Sequence, residues 1–504
     1  MLARAKQLLF GRAKEIVVAI AGLVVLLANR SGVSWSWDST DYVAAGRSIA
    51  KFKGSLDVSG LPMTVRPPGY PALIAIGEFV RLPTNLSLLT INVVSAVVSA
   101  LCVYLIVNRC ASRTSAILAA SFMALTPTMI WQTSMAWSEP PFIAALLVTV
   151  VVALWFPHRT RFVVLGLLYV ALFYLRYVGP FFIAPIAIVA VLTDAKTRGW
   201  MRNIALHASV LLISIAPMAW WLARNHRIDG TLTGARQPGG GSFWETLTHA
   251  FGTYGTFLSA QPFDSVIYER VTKYPGAAQV GAVVSFVIVV LAISRIVHVA
   301  IKRRFQFLTR DLVLLVNVAL IVAYTIFSAY RFVHFELGRL DTRMMVPLLP
   351  SLVIVTALLV EDLVRGRRTV GRVVVSCLVA LTALHGVITL RDASRFGADQ
   401  RHLSGAVSRN LELHKFVRSL DDDSALYSNA PQMLFLSADT WPIFTPWQVN
   451  EPWPTPCTRR YAVYYNDFQV QDNRPTSASI VYEDPIGTVY DVGLCSEDIN
   501  VVWD

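Results

Sequence analysis

Apolar residues in this chain come in long blocks, and the blocks recur from Ile16 to Leu390. Each approaches the ~20 residues needed to cross roughly 30 Å of hydrocarbon. Eleven transmembrane helices are predicted, near 14–33, 88–108, 114–132, 138–156, 162–175, 178–194, 203–223, 278–300, 311–330, 344–364 and 371–390. The fifth and sixth are short and share the break "RYVGP", Arg176 to Pro180. Merged into one kinked span, they would invert everything downstream. Basic residues decide between the counts. With eleven spans and a cytoplasmic N-terminus, the inner loops are "NRCASR", "PHRTR", "DAKTRGWMR", "IKRRFQFLTR" and "EDLVRGRRTVGR". All are short and basic, as the positive-inside rule requires. One span fewer would put the last three outside.

Beyond residue 390 the pattern changes. Apolar runs shorten, acids appear at Asp421 to Asp423, and prolines cluster in "WPIFTPWQVNEPWPTPC". A helix is expected over 403–420 and short strands at "ALYS", "WPIF", "YAVYY" and "ASIVYE", which are rich in aromatic and β-branched residues. The expected architecture is a polytopic α-helical membrane domain, residues 1–390, with an interfacial first loop at 34–87. A small extracytoplasmic α/β domain, residues 391–504, follows it and is large enough for a modest core.

Composition narrows the class. The 504 residues are 55% hydrophobic and 15% charged, whereas soluble domains run near 45–50% and about 25%. The partner this implies is the lipid bilayer, most simply a bacterial inner or plasma membrane. The net charge of +12 is not taken as a sign of nucleic-acid binding, because in a membrane protein the placement of charge matters more than its sum. Arg4, Lys6, Arg12 and Lys14 precede the first apolar run, with no small-residue cleavage site after it, so that run is read as a retained helix.

Of five cysteines, Cys102, Cys110 and Cys377 fall in or beside spans, and Cys457 and Cys495 fall in the tail. An oxidising compartment permits a disulfide between the last two; two buried thiols are the alternative. No Cys/His cluster has zinc spacing, and no P-loop or G-x-G-x-x-G is present. No metal or cofactor is therefore expected.

The eleven-span topology puts the first loop, "WSEP" at Trp137, "RYVGP", the loop 224–277, "RFVHFELGRLDTR" at 331–343 and the tail on the outer side. Polar chemistry converging on one face points to a site at the outer membrane–water interface. The outer arginines are not explained by the positive-inside rule.

The first loop opens with "WSWDSTDYVAAGRSIA", Trp35 to Ala50. Asp38 reads as a helix N-cap with Asp41 in an acid-rich first turn. Asp38 and Tyr42, four residues apart, would share a helix face. Then comes "RPPGYP", Arg66 to Pro71, a stiff turn with Tyr70 as an interfacial anchor and Arg66 as a solvated loop residue or a ligand. "RPPGYPALIAIGEFVRL" has too few apolar residues to span and reads as a short interfacial helix.

This order of elements resembles the GT-C membrane glycosyltransferases, and among them the branch that contains protein O-mannosyltransferases and the lipid A aminoarabinose transferase. "WSEPPF" (137–142), "YLRYVGPFFIAP" (174–185), "APMAWWLARNHRIDG" (216–230), "RLDTRMMVPLLP" (339–350) and "LYSNAPQMLFLSADTWP" (426–442) look like recurring outer-loop elements of that family. Each motif alone is weak; their order and common side make the case. The resemblance implies a polyprenyl-phosphate sugar donor, transfer on the extracytoplasmic face, and a first-loop aspartate as general base. Spacing to Tyr42 matches that aspartate to Asp38. Ser39 stands where many members have Glu, which leaves Asp41 as a rival.

The chemistry fits independently. A sugar on a lipid phosphate already has a good leaving group, so the enzyme must supply a base for the acceptor hydroxyl and positive charge for the departing phosphate. Arginine donates bidentately to phosphate. Arg66 and Arg343 rank first as phosphate partners, followed by Arg176 and Arg224; headgroup snorkelling is the alternative for each. Tyr42, Tyr70, Glu139 and Asn225 are candidate substrate contacts, Glu139 as an acceptor for a sugar hydroxyl or simply an acid at a helix start. Trp447 and Trp453 would stack on sugars, sit in the headgroup belt or fill a small core. His334 and Glu336 carry no assigned role. The acceptor is a glycan, lipid or protein hydroxyl. A transporter or flippase of a lipid-linked glycan would carry ionisable groups at mid-span and internal symmetry, and this chain offers only His298 and His385 near span ends. A polysaccharide polymerase or ligase would share the site.

Overall fold

A computed structural model describes residues 12–198, 200–234, 236, 239, 242–258, 275–302, 307–335, 342–398, 411–421, 423–438, 442–445, 457–466, 475 and 478–496. The apolar blocks fold as helices, the form that satisfies every backbone group internally where water is absent. In chain order these are α1 (Ala13–Ala28), then α2 (Trp37–Ala50) and α3 (Gly69–Phe79) in the first loop, α4 (Thr84–Cys110), α5 (Arg113–Leu125), α6 (Pro127–Ser134), α7 (Glu139–Trp155), α8 (His158–Leu175), α9 (Gly179–Arg198), α10 (Trp200–Asp229), α11 (Phe243–Leu258), α12 (Pro275–Lys302), α13 (Thr309–His334), α14 (Thr342–Met345), α15 (Leu349–Gly366) and α16 (Arg368–Ala398).

Among the described residues, six helices are long and apolar enough to cross a membrane: Thr84–Cys110, Trp200–Asp229, Gln279–Lys302, Thr309–His334, Arg343–Gly366 and Arg368–Arg395. The pair α5 and α6 adds a seventh if its 48° bend is counted within one span. Three further apolar helices are shorter: Glu139–Trp155, Thr160–Leu175 and Gly179–Asp194. By length and composition the described residues therefore include six or seven of the eleven expected spans at full length. Prolines account for part of the difference. Pro127 cannot continue the helix before it and holds Thr126 extended (ψ 132°), which splits the third run. "RYVGP" likewise separates α8 from α9, with Arg176 extended at φ −154°, ψ 133°.

The chain forms two compact units, and they cut across the sequence boundary at 390. One comprises Met1–Ala28, Thr64–Gly69 and Thr90–Phe396; the other Asn29–Met63, Tyr70–Leu89 and Gly397–Asp504. The first loop therefore groups largely with the tail instead of with the spans.

In the first, helical unit, Val24, Val25 and Ala28 of α1 pack with Ile130, Trp131, Trp137 and Ala393. Glu361 of α15 accepts from the Ser112 N–H at 3.1 Å and the Ser115 hydroxyl at 2.8 Å, tying α15 to the start of α5. A buried polar knot joins α8, α9 and α10. Arg161 reaches Asp194 at 2.6 Å, and the other Asp194 oxygen lies 3.2 Å from His207 Nε2.

In the second unit, α17 (Glu412–Arg418) and α18 (Pro431–Ala438) accompany β1 (Ala425–Ser428), β2 (Ile443–Phe444), β3 (Arg459–Tyr465), β4 (Ser479–Glu483) and β5 (Gly487–Leu494). The five-stranded sheet has the order β2-β1-β3-β5-β4. β1 runs parallel to β2 and β3, and β5 runs antiparallel to β3 and β4. Tyr427, Phe444, Ala462, Tyr464 and Tyr490 form its core. Cys457 and Cys495 are joined in a disulfide beside the β3–β5 pair. Of the helix expected over 403–420, only Glu412–Arg418 lies in a described helix, and residues 403–410 fall outside the described residues. The first loop is bound into this unit. The Ile443 N–H donates to the Val58 carbonyl at 3.1 Å, the Ser31 hydroxyl donates to the Gly397 carbonyl, and Arg47 lies over the Phe435 ring at 5.4 Å.

Candidate functional site

The predicted site residues divide between the two units. Asp38, Asp41, Tyr42 and Tyr70 lie in the second; Arg66, Glu139, Arg176, Arg224, Asn225 and Arg343 lie in the first.

In the second unit, α2 begins one residue before Asp38, and its N-cap is Ser36. This corrects the expected cap at Asp38. The Ser36 N–H donates to the Ser39 hydroxyl at 2.9 Å, so Ser39 closes the helix start. Asp38 sits in the first turn, where the positive end of the helix favours a carboxylate. Asp41 accepts from the Val58 N–H at 3.5 Å and so faces the turn 55–63. Within that turn the Met63 N–H donates to the Ser55 carbonyl at 2.9 Å. Tyr42 and Tyr70 are both buried and meet edge to face, centroids 5.0 Å apart, fastening α2 to α3.

In the first unit three residues distant in sequence converge. Glu139, at the start of α7, is fully buried. A single oxygen, Oε1, receives Arg176 Nη1 at 2.5 Å and Arg343 Nε at 2.8 Å. The two arginine side chains keep 15% and 19% of their exposure. Two guanidiniums thus share one buried carboxylate oxygen, and a buried charge persists only where partners repay its desolvation. Trp137 shapes the cluster. The Arg343 guanidinium carbon lies 4.0 Å from its ring centroid, and Trp131 meets the same ring edge to face at 5.0 Å. Glu139, expected as a sugar contact, is here an anchor for arginines.

Arg224 stacks on Trp221 at 4.6 Å and donates to Asn225 Oδ1 at 2.9 Å. Asn225 is fully buried and turned toward backbone: its amide donates to the Leu232 carbonyl at 3.0 Å and the Thr64 carbonyl at 3.4 Å. An apolar groove of about 620 Å³ runs between α9 and α13, lined by Phe181, Pro185 and Ile188 on one side and Leu315, Ala319 and Val322 on the other. It begins at Pro180, four residues after Arg176.

Sequence reasoning did not single out Thr64, Tyr177, Trp221 or Asp229, although "RYVGP" and "WWLARNHRID" contain three of them. Glu336, Trp447 and Trp453 lie outside the described residues. His334 meets the Tyr330 ring at 4.2 Å. Asn85, a sequon by pattern, accepts from the Val33 N–H at 2.8 Å. Among the described residues no group of three His, Cys, Asp or Glu side chains is placed to hold a metal.

The family profile for dolichyl-phosphate-mannose–protein mannosyltransferase matches residues 65–221. No curated protein matches in sequence. Two solved structures are similar over nearly the whole chain. ArnT from Cupriavidus metallidurans in the apo state is 14% identical, with 97% of this chain and 98% of that one covered, at TM-score 0.64. The same protein bound to undecaprenyl phosphate is 13% identical, with 94% and 97% covered, also at 0.64. At such identity the likeness is one of fold: the chain is an integral membrane protein with the fold of the GT-C glycosyltransferases.

Proposed function

We propose that this protein transfers a sugar from a polyprenyl-phosphate donor to an acceptor hydroxyl at the extracytoplasmic face of the membrane, through eleven spans with the N-terminus cytoplasmic. The observation that carries the reading is the convergence of Arg176 and Arg343 on one buried Glu139 oxygen. It gathers two forked guanidinium donors at one place, in a chain whose fold has a relative described as bound to undecaprenyl phosphate. The groove that starts beside Arg176 suits a prenyl chain.

In the proposed reaction Asp38 takes the proton of the acceptor hydroxyl. The acceptor oxygen attacks the anomeric carbon, and the bond from that carbon to the phosphate oxygen breaks. The phosphate leaves with the electron pair, and Arg66, Arg176 and Arg343 hold its charge. Asp38 is preferred to Asp41 because its spacing to Tyr42 matches the first-loop aspartate of the glycosyltransferases that the sequence resembles. Arg224, stacked and turned to Asn225, is the weakest candidate of the four arginines.

Asp38→Asn tests the base. The substitution is isosteric, so undecaprenyl phosphate binding and melting temperature should stay near wild type. Transfer should fall by at least the ~10²–10⁴-fold that general-base catalysis contributes. Retained transfer in Asp38→Asn together with loss in Asp41→Asn would move the base to Asp41. Loss of undecaprenyl phosphate binding in neither Arg176→Ala nor Arg343→Ala would reject the phosphate role.

A further inference from the structure

Arg66 rides on a short strap, Thr64–Gly69, that belongs to the helical unit although the chain on either side of it belongs to the other. A segment without a ladder of its own must find partners for its backbone elsewhere. The Thr64 carbonyl accepts from the Tyr177 hydroxyl at 2.8 Å and from Asn225 Nδ2 at 3.4 Å. The Thr64 hydroxyl donates to Asp229 Oδ2 at 2.5 Å. Asn225 and Asp229 stand one turn apart at the end of α10 and so share a face. Tyr177 is the hub, because its oxygen also accepts from Trp221 Nε1 and from Asn225 Nδ2, each at 2.9 Å. At the far end of the strap, Gly69 lies against the last turn of α8. A Cβ there would come within 2.5 Å of the Tyr174 carbonyl, so a larger residue would push the strap away.

Residues 174–177 therefore perform alternating tasks. The Tyr174 backbone braces Gly69, the Tyr177 hydroxyl braces Thr64, and between them Arg176 reaches Glu139. One short turn governs where two arginines stand.

We infer that Tyr177 and Asn225, with Asp229, are positioning residues that hold Arg66 at a fixed place relative to Arg176, so that the lipid phosphate meets two cations already in register. The inference rests on the phosphate role proposed above. Its physical basis is preorganisation: a strap ordered in advance spares the ordering cost on binding. Asn225, expected as a substrate contact, acts on the strap instead.

The test uses the full-length chain in nanodiscs, with undecaprenyl phosphate and undecaprenol as probes. Tyr177→Phe removes the hub hydroxyl alone. It should weaken undecaprenyl phosphate binding about five- to tenfold and leave undecaprenol binding unchanged. In the double variant Tyr177→Phe/Arg66→Ala the loss should not exceed that of Arg66→Ala. Thr64→Val, which removes only the bond to Asp229, should show the same selectivity at about threefold, and it serves if Tyr177→Phe does not fold. Equal losses for both lipids, or losses that multiply in the double variant, would overturn the positioning role. So would a wild-type affinity in both Tyr177→Phe and Thr64→Val beside an impaired Arg66→Ala. Undiminished undecaprenyl phosphate binding in Arg66→Ala itself would instead overturn the phosphate reading of that arginine, and the inference with it.

Discussion

Two buried ionic clusters in the helical unit use the same kinds of residue to opposite ends. In one, Arg161, Asp194 and His207 are all nearly sealed, with side-chain exposures of 9%, 7% and 2%. One cation meets one carboxylate, the remaining Arg161 donors reach the Phe156 carbonyl at 2.7 and 3.1 Å, and the imidazole takes the second carboxylate oxygen. In the other, two partly open arginines share a single oxygen of a fully buried glutamate. The first cluster is nearly sealed and closes on itself, as a fastening between helices does. The second gathers two partly exposed guanidiniums at one carboxylate oxygen, and guanidinium donors that remain reachable are what a phosphate can use. Counting ion pairs would treat the two alike; exposure separates them.

The largest effect should come from breaking the sealed cluster. Asp194→Ala strands a buried guanidinium, and removing one partner of a buried pair costs about 3–5 kcal/mol. A steep fall in melting temperature is expected, with undecaprenyl phosphate affinity intact in the protein that remains folded. A selective loss of that affinity would erase the distinction between the clusters. Next comes Arg343→Ala, which should cost roughly 1.5–3 kcal/mol of undecaprenyl phosphate binding, with Arg343→Lys recovering only part because the fork is lost. Titration against undecaprenol as reference measures both. The subtlest is Glu139→Gln. Without its anion the arginine pair is less stable unliganded, so undecaprenyl phosphate should raise the melting temperature of this variant more than that of wild type. A smaller rise would mean that Glu139 is needed to hold the two arginines in place for the phosphate.

The legible part of the fold was the part written in local pattern. Each apolar block became helix, and four strands fell where aromatic and β-branched runs stood. β5, in "GTVYDVGL", was missed because glycine and aspartate dilute its pattern; its place comes from pairing with β3 and β4. The cap at α2 was misassigned by two residues, since Ser36 and Asp38 are both good capping residues and local preference does not choose between them. At the site, the arginines, Glu139 and Asn225 were named from chemistry, but that Glu139 meets two arginines and Asn225 the Thr64 and Leu232 carbonyls was not legible, because a sequence does not show which groups will meet.

The sequence by itself determined that the chain belongs in a membrane, which runs would be helical and which residue types could serve a phosphate and a base. These follow from composition and short-range periodicity, which act within a few residues. Only the tertiary structure decided that residues 29–63 and 70–89 group with the tail, that Glu139 gathers arginines 37 and 204 positions away, and that Tyr177 reaches back to Thr64. Those contacts depend on how far apart helices come to rest. Charges and hydrogen bonds act over a few ångströms whatever their separation along the chain, so no local pattern records them.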